Sequence, residues 1–386
     1  MHPELFTIPG INIAVPSFGA IVMFGFLLAT FWAARRCSHA KLDPDMILNL
    51  GFIILILGTL SARVFYVIHY WSAEFAHQPG QVFNLRAGGM EIYGGIIGGV
   101  IACAAYIRLK RMSLRLFADI VAPSLLLAMG IGRIGCFLFG CCWGTSCPET
   151  LPWAVRFPFG SPAYQQQWEN RLITTPGELV FVSPDGAAGP MPRQILAMSD
   201  RQLDERLAQV NALVDKARAS GDAGKLARAE KTRDLVLQGL HPLTEHLGGF
   251  GTTLGALRVE AALPANRSHA LHPAQLYSAI GPILLAAVTS TYFYRRKRHG
   301  MVFIFGFTLY AIERFIEELL RTDNPLDTFG LTISQAISVG VLILAAISYT
   351  ALLRMPLRSP RAIRYTPPSK APSPAPAAET AETAGQ

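Results

Sequence analysis

Between Gly132 and Gly144 the chain reads GRIGCFLFGCCWG, which sets a guanidinium, Arg133, inside an otherwise apolar run and crowds four thiols at its end, Cys136, Cys141, Cys142 and, just beyond, Cys147. A charge in such a run is expensive, so Arg133 is a functional-site candidate by default. A second group lies in RFIEELLR, Arg314 to Arg321. At about 100° per residue Arg314, Glu318 and Arg321 share one helical face, and Arg314 can pair with Glu318 at i,i+4. Glu313 and Glu317 fall on a neighbouring stripe. An ion-pair ladder between helices would explain that face alone. Arg63 and Arg133 add cations from elsewhere in the chain, a surplus that suits an anionic head group, and arginine's planar fork recognises phosphate as lysine's point charge does not.

The elements that carry these residues are membrane spans. The 386 residues are 51% hydrophobic and 16% charged, with a mean hydropathy of +0.33, which is too apolar for a soluble domain of this size. Apolar runs fall near 16–34, 46–70, 92–107, 117–140, 273–293, 300–320 and 329–353, each close to the ~20 residues that cross a hydrocarbon core. The fold class is therefore an all-α polytopic membrane protein of about seven transmembrane helices with an extracytoplasmic head domain. Lys and Arg gather after the first run (Arg35, Arg36, Lys41), between the third and fourth, after the fifth, and beyond the seventh. Basic loops stay cytoplasmic, which puts the N-terminus outside and the C-terminus inside. No Lys or Arg precedes the first run, so a cleaved signal peptide is not expected. The net charge of +8 follows from this topology, and no nucleic-acid partner is implied. With that orientation Arg63, Glu91, Arg133, Arg314, Glu317, Glu318 and Arg321 all lie at outer-leaflet depth, and the pattern predicts that every intramembrane charge does.

Four segments follow: 1–144 with four spans and the arginine segment, an extracytoplasmic head at 145–271, 272–354 with three spans, and a disordered cytoplasmic tail at 355–386. Within the head, Leu203, Leu207, Val210, Leu213 and Val214 recur at helical spacing. Ser199 with Gln202 resembles a capping box. A second helix from Lys225 to Leu237 would complete a charged hairpin over about 200–239, read as a solvated insertion. The tail PPSKAPSPAPAAETAETAGQ is Pro/Ala-rich.

Glycine pairs in GGMEIYGGIIGG, Gly88 to Gly99, permit close helix approach or a ligand wall beside Tyr93, Gly94 and Gly95. For the cysteines three readings stand: a disulfide joining Cys147 to Cys141 or Cys142, free thiols, and a metal site. The spacing lacks paired CxxC units and a histidine cluster, so no metal and no cofactor are expected. Cys37 and Cys103 carry no function.

The Gly132–Gly144 segment resembles the signature of the bacterial prolipoprotein diacylglyceryl transferases. GGMEIYGG, HPAQLY (His272 to Tyr277), RFIEELLR and SFG (Ser17 to Gly19) are similar to that family too, and the likeness covers all but the hairpin and tail. It implies a multi-pass protein of the bacterial cytoplasmic membrane. The implied activity is transfer of the diacylglyceryl group from phosphatidylglycerol to the lipobox cysteine of preprolipoprotein signal peptides, with release of glycerol-1-phosphate. It implies Arg314, Glu318 and Tyr93 as catalytic residues, and Arg133, Gly144, Gly94, Gly95 and Arg321 as substrate-binding ones, to which the charge surplus adds Arg63. Arg133 would hold the head group and Arg314 would stand at the reacting end.

The chain departs from the family where many members have Tyr at Phe18, His at Tyr93, Asn at Cys136 and an acidic residue at Cys141. The proton acceptor is thereby left open between a water, the glutamate cluster and none, because a phenol with a pKa near 10 is a poor base at neutral pH. A non-catalytic paralogue that binds or transports anionic lipid is the alternative function. A transporter would show internal repeats or matched broken helices, and no convincing repeat is found.

Overall fold

The computed structural model of the chain describes residues 4–8, 13–76, 79–83, 89–182, 188–193, 196, 200–219, 224, 226, 230, 254–321 and 330–359. Each apolar run becomes a helix within a few residues of its expected bounds. A short antiparallel hairpin, β1 (Glu4–Ile8) and β2 (Ile13–Pro16), leads into α1 (Ser17–His39), followed by α2 (Asp45–His69), α3 (Ile92–Leu109) and α4 (Leu114–Phe139). After α5 (Pro162–Glu169) a second small hairpin pairs β3 (Val180–Val182) with β4 (Ala188–Pro190). Then come α6 (Asp200–Ala219), α7 (Leu254–Ala262), α8 (Ala274–Arg295), α9 (Met301–Glu317) and α10 (Ile333–Leu353). Six of these, α1 to α4, α8 and α10, are long and apolar enough to cross a membrane. The sixth run gives a shorter α9 of 17 residues that tightens into a 3-10 turn, Glu318–Leu320. Phe52, Ile68, Ile101 and Leu344 are exposed, as lipid-facing residues of a membrane bundle are, since lipid tails are as apolar as they.

The chain divides into two compact units. One holds residues 1–25, 129–284 and 308–344; the other holds 26–128, 285–307 and 345–386. Their boundaries fall inside α1, α4, α8, α9 and α10, so these helices contribute residues to both.

The second unit is organised by a core of Ala33, Cys37, Ile47, Leu50, Phe117, Ile120, Phe293 and Val302, among others. Here α2 packs closely on α3, and glycine permits it: a Cβ at Gly94 would overlap that of Phe65 and come within 2.7 Å of the Ser61 carbonyl oxygen. Two further buried charges, not singled out from the sequence, lie in this unit. Asp119 of α4 is fully buried. It accepts from the backbone N–H groups of Gly300 (2.7 Å), Val302 (2.9 Å) and Phe303 (3.1 Å), and Arg296 stands 3.2 Å from it. These are orphan donors at the start of α9, capped by a carboxylate from another helix. Arg36, taken as a loop charge, is instead a buried residue of α1 whose guanidinium reaches the Ser124 hydroxyl at 2.8 Å and the Ser290 hydroxyl at 3.4 Å.

In the first unit the apolar cluster Trp143, Phe157, Ala163 and Leu271 backs a tight set of chain pairings. Gly144 donates its N–H to the His272 carbonyl, His272 returns one to Thr145, and Val155 and Leu271 exchange both bonds, all at 3.0 Å. Helix α6 is present with Val214 buried and Leu213 exposed. The expected second helix, Lys225 to Leu237, the Ser199 cap and the tail beyond 359 lie outside the described residues.

Candidate functional site

The first unit assembles the charged cluster around the end of α9. Arg314 Nη1 lies 2.6 Å from Glu318 Oε2 and 4.0 Å from Glu317 Oε2, while Nη2 donates to the Ser334 hydroxyl at 3.0 Å. The i,i+4 pairing read from the sequence is thus formed, at a site where Arg314 is 11% and Glu318 0% exposed. The far oxygen of Glu318 accepts from the Thr332 hydroxyl at 3.0 Å. Thr332 is in turn the N-cap of α10, exchanging bonds with Gln335: its N–H reaches Gln335 Oε1 at 3.1 Å and its hydroxyl oxygen accepts from the Gln335 N–H at 3.3 Å. That is a capping box, so the start of one helix fixes the carboxylate that fixes the arginine on another.

Beside this pair Glu317 accepts from the Ser278 hydroxyl of α8 at 2.9 Å. Glu313 stands one helical turn before Glu317 on α9. Space for Glu313 comes from Gly281, where a Cβ would collide with its carboxylate.

Arg133 projects from α4 half-buried, and among the described residues its guanidinium makes no hydrogen bond or ion pair. Its charge nonetheless acts on Glu317, on the Tyr310 phenol and on Cys142. Arg314 and Arg321 act on Glu317 as well. The charges of three arginines thus act on one glutamate, and among the described residues the one on α4 makes no ion pair. Phe18 packs on the same helix, its ring 3.1 Å from where a Cβ of Gly135 would stand.

The signature segment closes on a turn. Gly140, at φ +87°, ends α4, its N–H and that of Cys141 both donating to the Cys136 carbonyl at 2.8 and 3.2 Å. Buried Gln275, from HPAQLY, holds the turn by donating to the Cys141 carbonyl at 2.7 Å. Tyr277 of the same motif accepts from Trp153 Nε1 at 2.8 Å and lies 3.2 Å from His272 Nδ1. All six cysteines are free thiols. The sulfurs of Cys136, Cys141 and Cys142 lie within 4.8 Å of one another, and these are the described side chains able to hold a metal ion. Cys147 stands outside the cluster. Hydrogen bonds with Cys136 and Cys141, then the charges of Arg321 and Arg133, hold the Cys142 thiol below its usual value.

Arg63, Tyr93, Gly94 and Gly95 belong to the second unit. Arg63 is buried and donates to three carbonyls, those of Val82 (3.0 Å), Gln81 (2.8 Å) and Gly89 (2.8 Å). It thereby ties the segment between α2 and α3 to α2. His69 and Glu91 add a second tie, Nδ1 to Oε2 at 3.0 Å. Tyr93 is exposed, while Gly94 and Gly95 turn their backbone toward α2. Gly144 sits in the first unit with its N–H spent on His272.

Ser278, Ser334, Thr332 and Tyr310 joined the site only in three dimensions. The T-x-x-Q spacing of Thr332 and Gln335 is a helix-start signal that could have found one of them.

A family profile described as prolipoprotein diacylglyceryl transferase matches residues 3–351. Three curated relatives carry the name phosphatidylglycerol--prolipoprotein diacylglyceryl transferase. The protein of Rhodopirellula baltica is 28% identical over 371 residues, 89% of this chain and 73% of its own length. That of Chloroflexus aggregans is 36% identical over 176 residues, 46% of this chain and 56% of its own, and that of Clostridioides difficile 35% over 155 residues, 40% and 60%. The last two matches thus span less than two thirds of the relative. With a profile match over nearly its whole length, the chain belongs to the prolipoprotein diacylglyceryl transferase family.

Proposed function

We propose that this chain transfers the diacylglyceryl group of phosphatidylglycerol to the lipobox cysteine thiol of a preprolipoprotein in the bacterial cytoplasmic membrane, releasing glycerol-1-phosphate. The observation that carries the reading is Arg133, without an ion-pair partner among the described residues, whose charge acts on the same glutamate, Glu317, as that of the Glu318-bound Arg314, in a chain of that family. A sulfur nucleophile attacks the glyceryl carbon, the carbon–oxygen bond to phosphate breaks, and the phosphate leaves with the electron pair. Such a step needs cations where charge develops, held in advance so that no reorganisation is paid during reaction.

In this reading Arg133 holds the phosphodiester and Arg314, oriented by Glu318, Ser334 and Thr332, meets the leaving oxygen. Arg321 supplies further positive charge, and Gly144 fixes the end of the signature segment. Arg63, Gly94 and Gly95 stay proposed substrate-binding residues, and Tyr93 a proposed catalytic one that offers its hydroxyl for orientation or proton relay rather than as the base. The topology proposed with it has seven spans, counting α9 and its 3-10 extension, an outside N-terminus, a cytoplasmic C-terminus and an extracytoplasmic head at 145–271. No nucleic acid takes part.

The test is transfer of labelled diacylglyceryl from phosphatidylglycerol vesicles to a lipobox peptide by the purified protein. A labelled thioether product is expected, and a peptide with Ser in place of the lipobox Cys should stay unlabelled. Lipid binding without transfer would overturn the reading in favour of a lipid-binding paralogue.

A further inference from the structure

The geometry points to a three-thiolate metal site at Cys136, Cys141 and Cys142, for a thiophilic divalent cation of the Zn2+ class whose fourth position takes an incoming thiol. The second half of this inference rests on the proposed transferase reading; the first half does not.

Metal-to-sulfur bonds of about 2.3 Å in a tetrahedron set sulfurs about 3.8 Å apart. Cys141 Sγ and Cys142 Sγ are 3.7 Å apart, and all three sulfurs lie within 4.8 Å. Closing the set around an ion takes rotamer adjustments of an ångström or less. The backbone is bent to make this cluster. Cys142 adopts φ +59°, a left-handed conformation that is uncommon for a residue with a side chain. That turn brings the last thiol back toward Cys136 on α4. Gln275, on another helix, pins the same turn through the Cys141 carbonyl. Arg133 and Arg321 act on Cys142, so a net negative trithiolate complex would be compensated by charge already in place. Among the described residues no histidine or carboxylate joins the set. Three protein ligands and one open position is the arrangement of catalytic rather than structural zinc.

The chemistry fits a chain whose proton acceptor the residues leave open. Three cysteine thiols bind M2+ with loss of three protons. A substrate thiol then replaces water in the fourth position and loses its own proton to solvent, since the metal lowers its pKa. The metal-bound sulfur attacks the glyceryl carbon, the carbon–oxygen bond breaks, and the phosphate leaves with the electron pair. The resulting thioether carries no charge and is a weaker ligand than the thiolate, so it is released.

The experiment titrates the purified full chain with Co2+ as a spectroscopic stand-in for Zn2+. One Co2+ per chain with an intense sulfur-to-cobalt charge-transfer band is expected, with binding weakened more than about tenfold in Cys136→Ser and Cys142→Ser and unchanged in Cys147→Ser and Cys103→Ser. Because a serine variant can misfold, the wild-type protein carries a second readout: Zn2+ should protect three of its six cysteines from maleimide. A lipobox peptide with Cys, but not Ser, should then shift the cobalt band. No band with no protection, or a disulfide found within the cluster, would overturn the site. A band indifferent to the peptide in a protein that still transfers lipid would overturn the open fourth position, whereas a metal-binding protein that transfers nothing would sink the transferase reading alone.

Discussion

Glu318 holds Arg314 one helical turn away, at 2.6 Å and out of contact with solvent, and is itself held by the Thr332 hydroxyl that caps α10. Removing the negative partner leaves a buried guanidinium without its main compensation, a change that commonly costs several kcal/mol.

Glu318→Gln should therefore lower transfer by about 100-fold or more, through misplacement of Arg314 rather than through loss of a reacting group. The double variant Arg314→Ala/Glu318→Gln should be no worse than the more damaged single one, because the two act as a unit. Steady-state transfer rates of the four proteins check this, and additive losses would mean separate roles.

Gly281→Ala tests the glutamate pair without touching a charge. Its Cβ would occupy the place of the Glu313 carboxylate, so Glu313 must swing away from Glu317. The variant should insert and fold but lose about tenfold or more in rate, a displacement effect of the kind that moves reacting groups by an ångström. Wild-type turnover would contradict the packing described.

Tyr93 is exposed and, among the described residues, has no hydrogen-bond partner. Tyr93→Phe should retain measurable turnover and Tyr93→His should stay active. A dead Tyr93→Phe with intact lipid binding, and a wild-type rate climbing with pH toward the phenol's range, would assign it the proton instead.

A pH effect on stability is expected from the second unit. Burial first, then the charges of Arg296, Arg115 and Arg358, lower His299 from its usual 6.5 to about 4, and its Nδ1 accepts from the Ser359 N–H at 3.1 Å. The folded state thus binds this proton more weakly than the unfolded chain. Stability is full above pH 6.5 and falls as pH drops from 6.5 toward about 4. Thermal midpoints in detergent across that window should decline for the wild type and decline less for His299→Asn.

Much of the bundle was legible because a span needs only length and apolarity, and the Arg314–Glu318 face because helical periodicity places it without tertiary knowledge. What escaped depends on contacts between distant segments. Asp119 carries no signal of its role until the backbone donors at the start of α9 are seen to end on it. Arg63 looked like a free cation, but the segment around Val82 and Gly89, which has no periodic pattern, uses its donors. The cysteine cluster needs the left-handed Cys142, and no spacing rule signals that turn.

The most direct test of the central claim is the transfer rate of Arg133→Ala beside wild type, with both shown to be folded and inserted. Arg133 is the guanidinium without a protein partner among the described residues of the site, so its loss should abolish diacylglyceryl transfer to the lipobox peptide, and Arg133→Lys should rescue poorly because a point charge cannot reproduce the fork. Full activity in a folded Arg133→Ala protein would contradict the account.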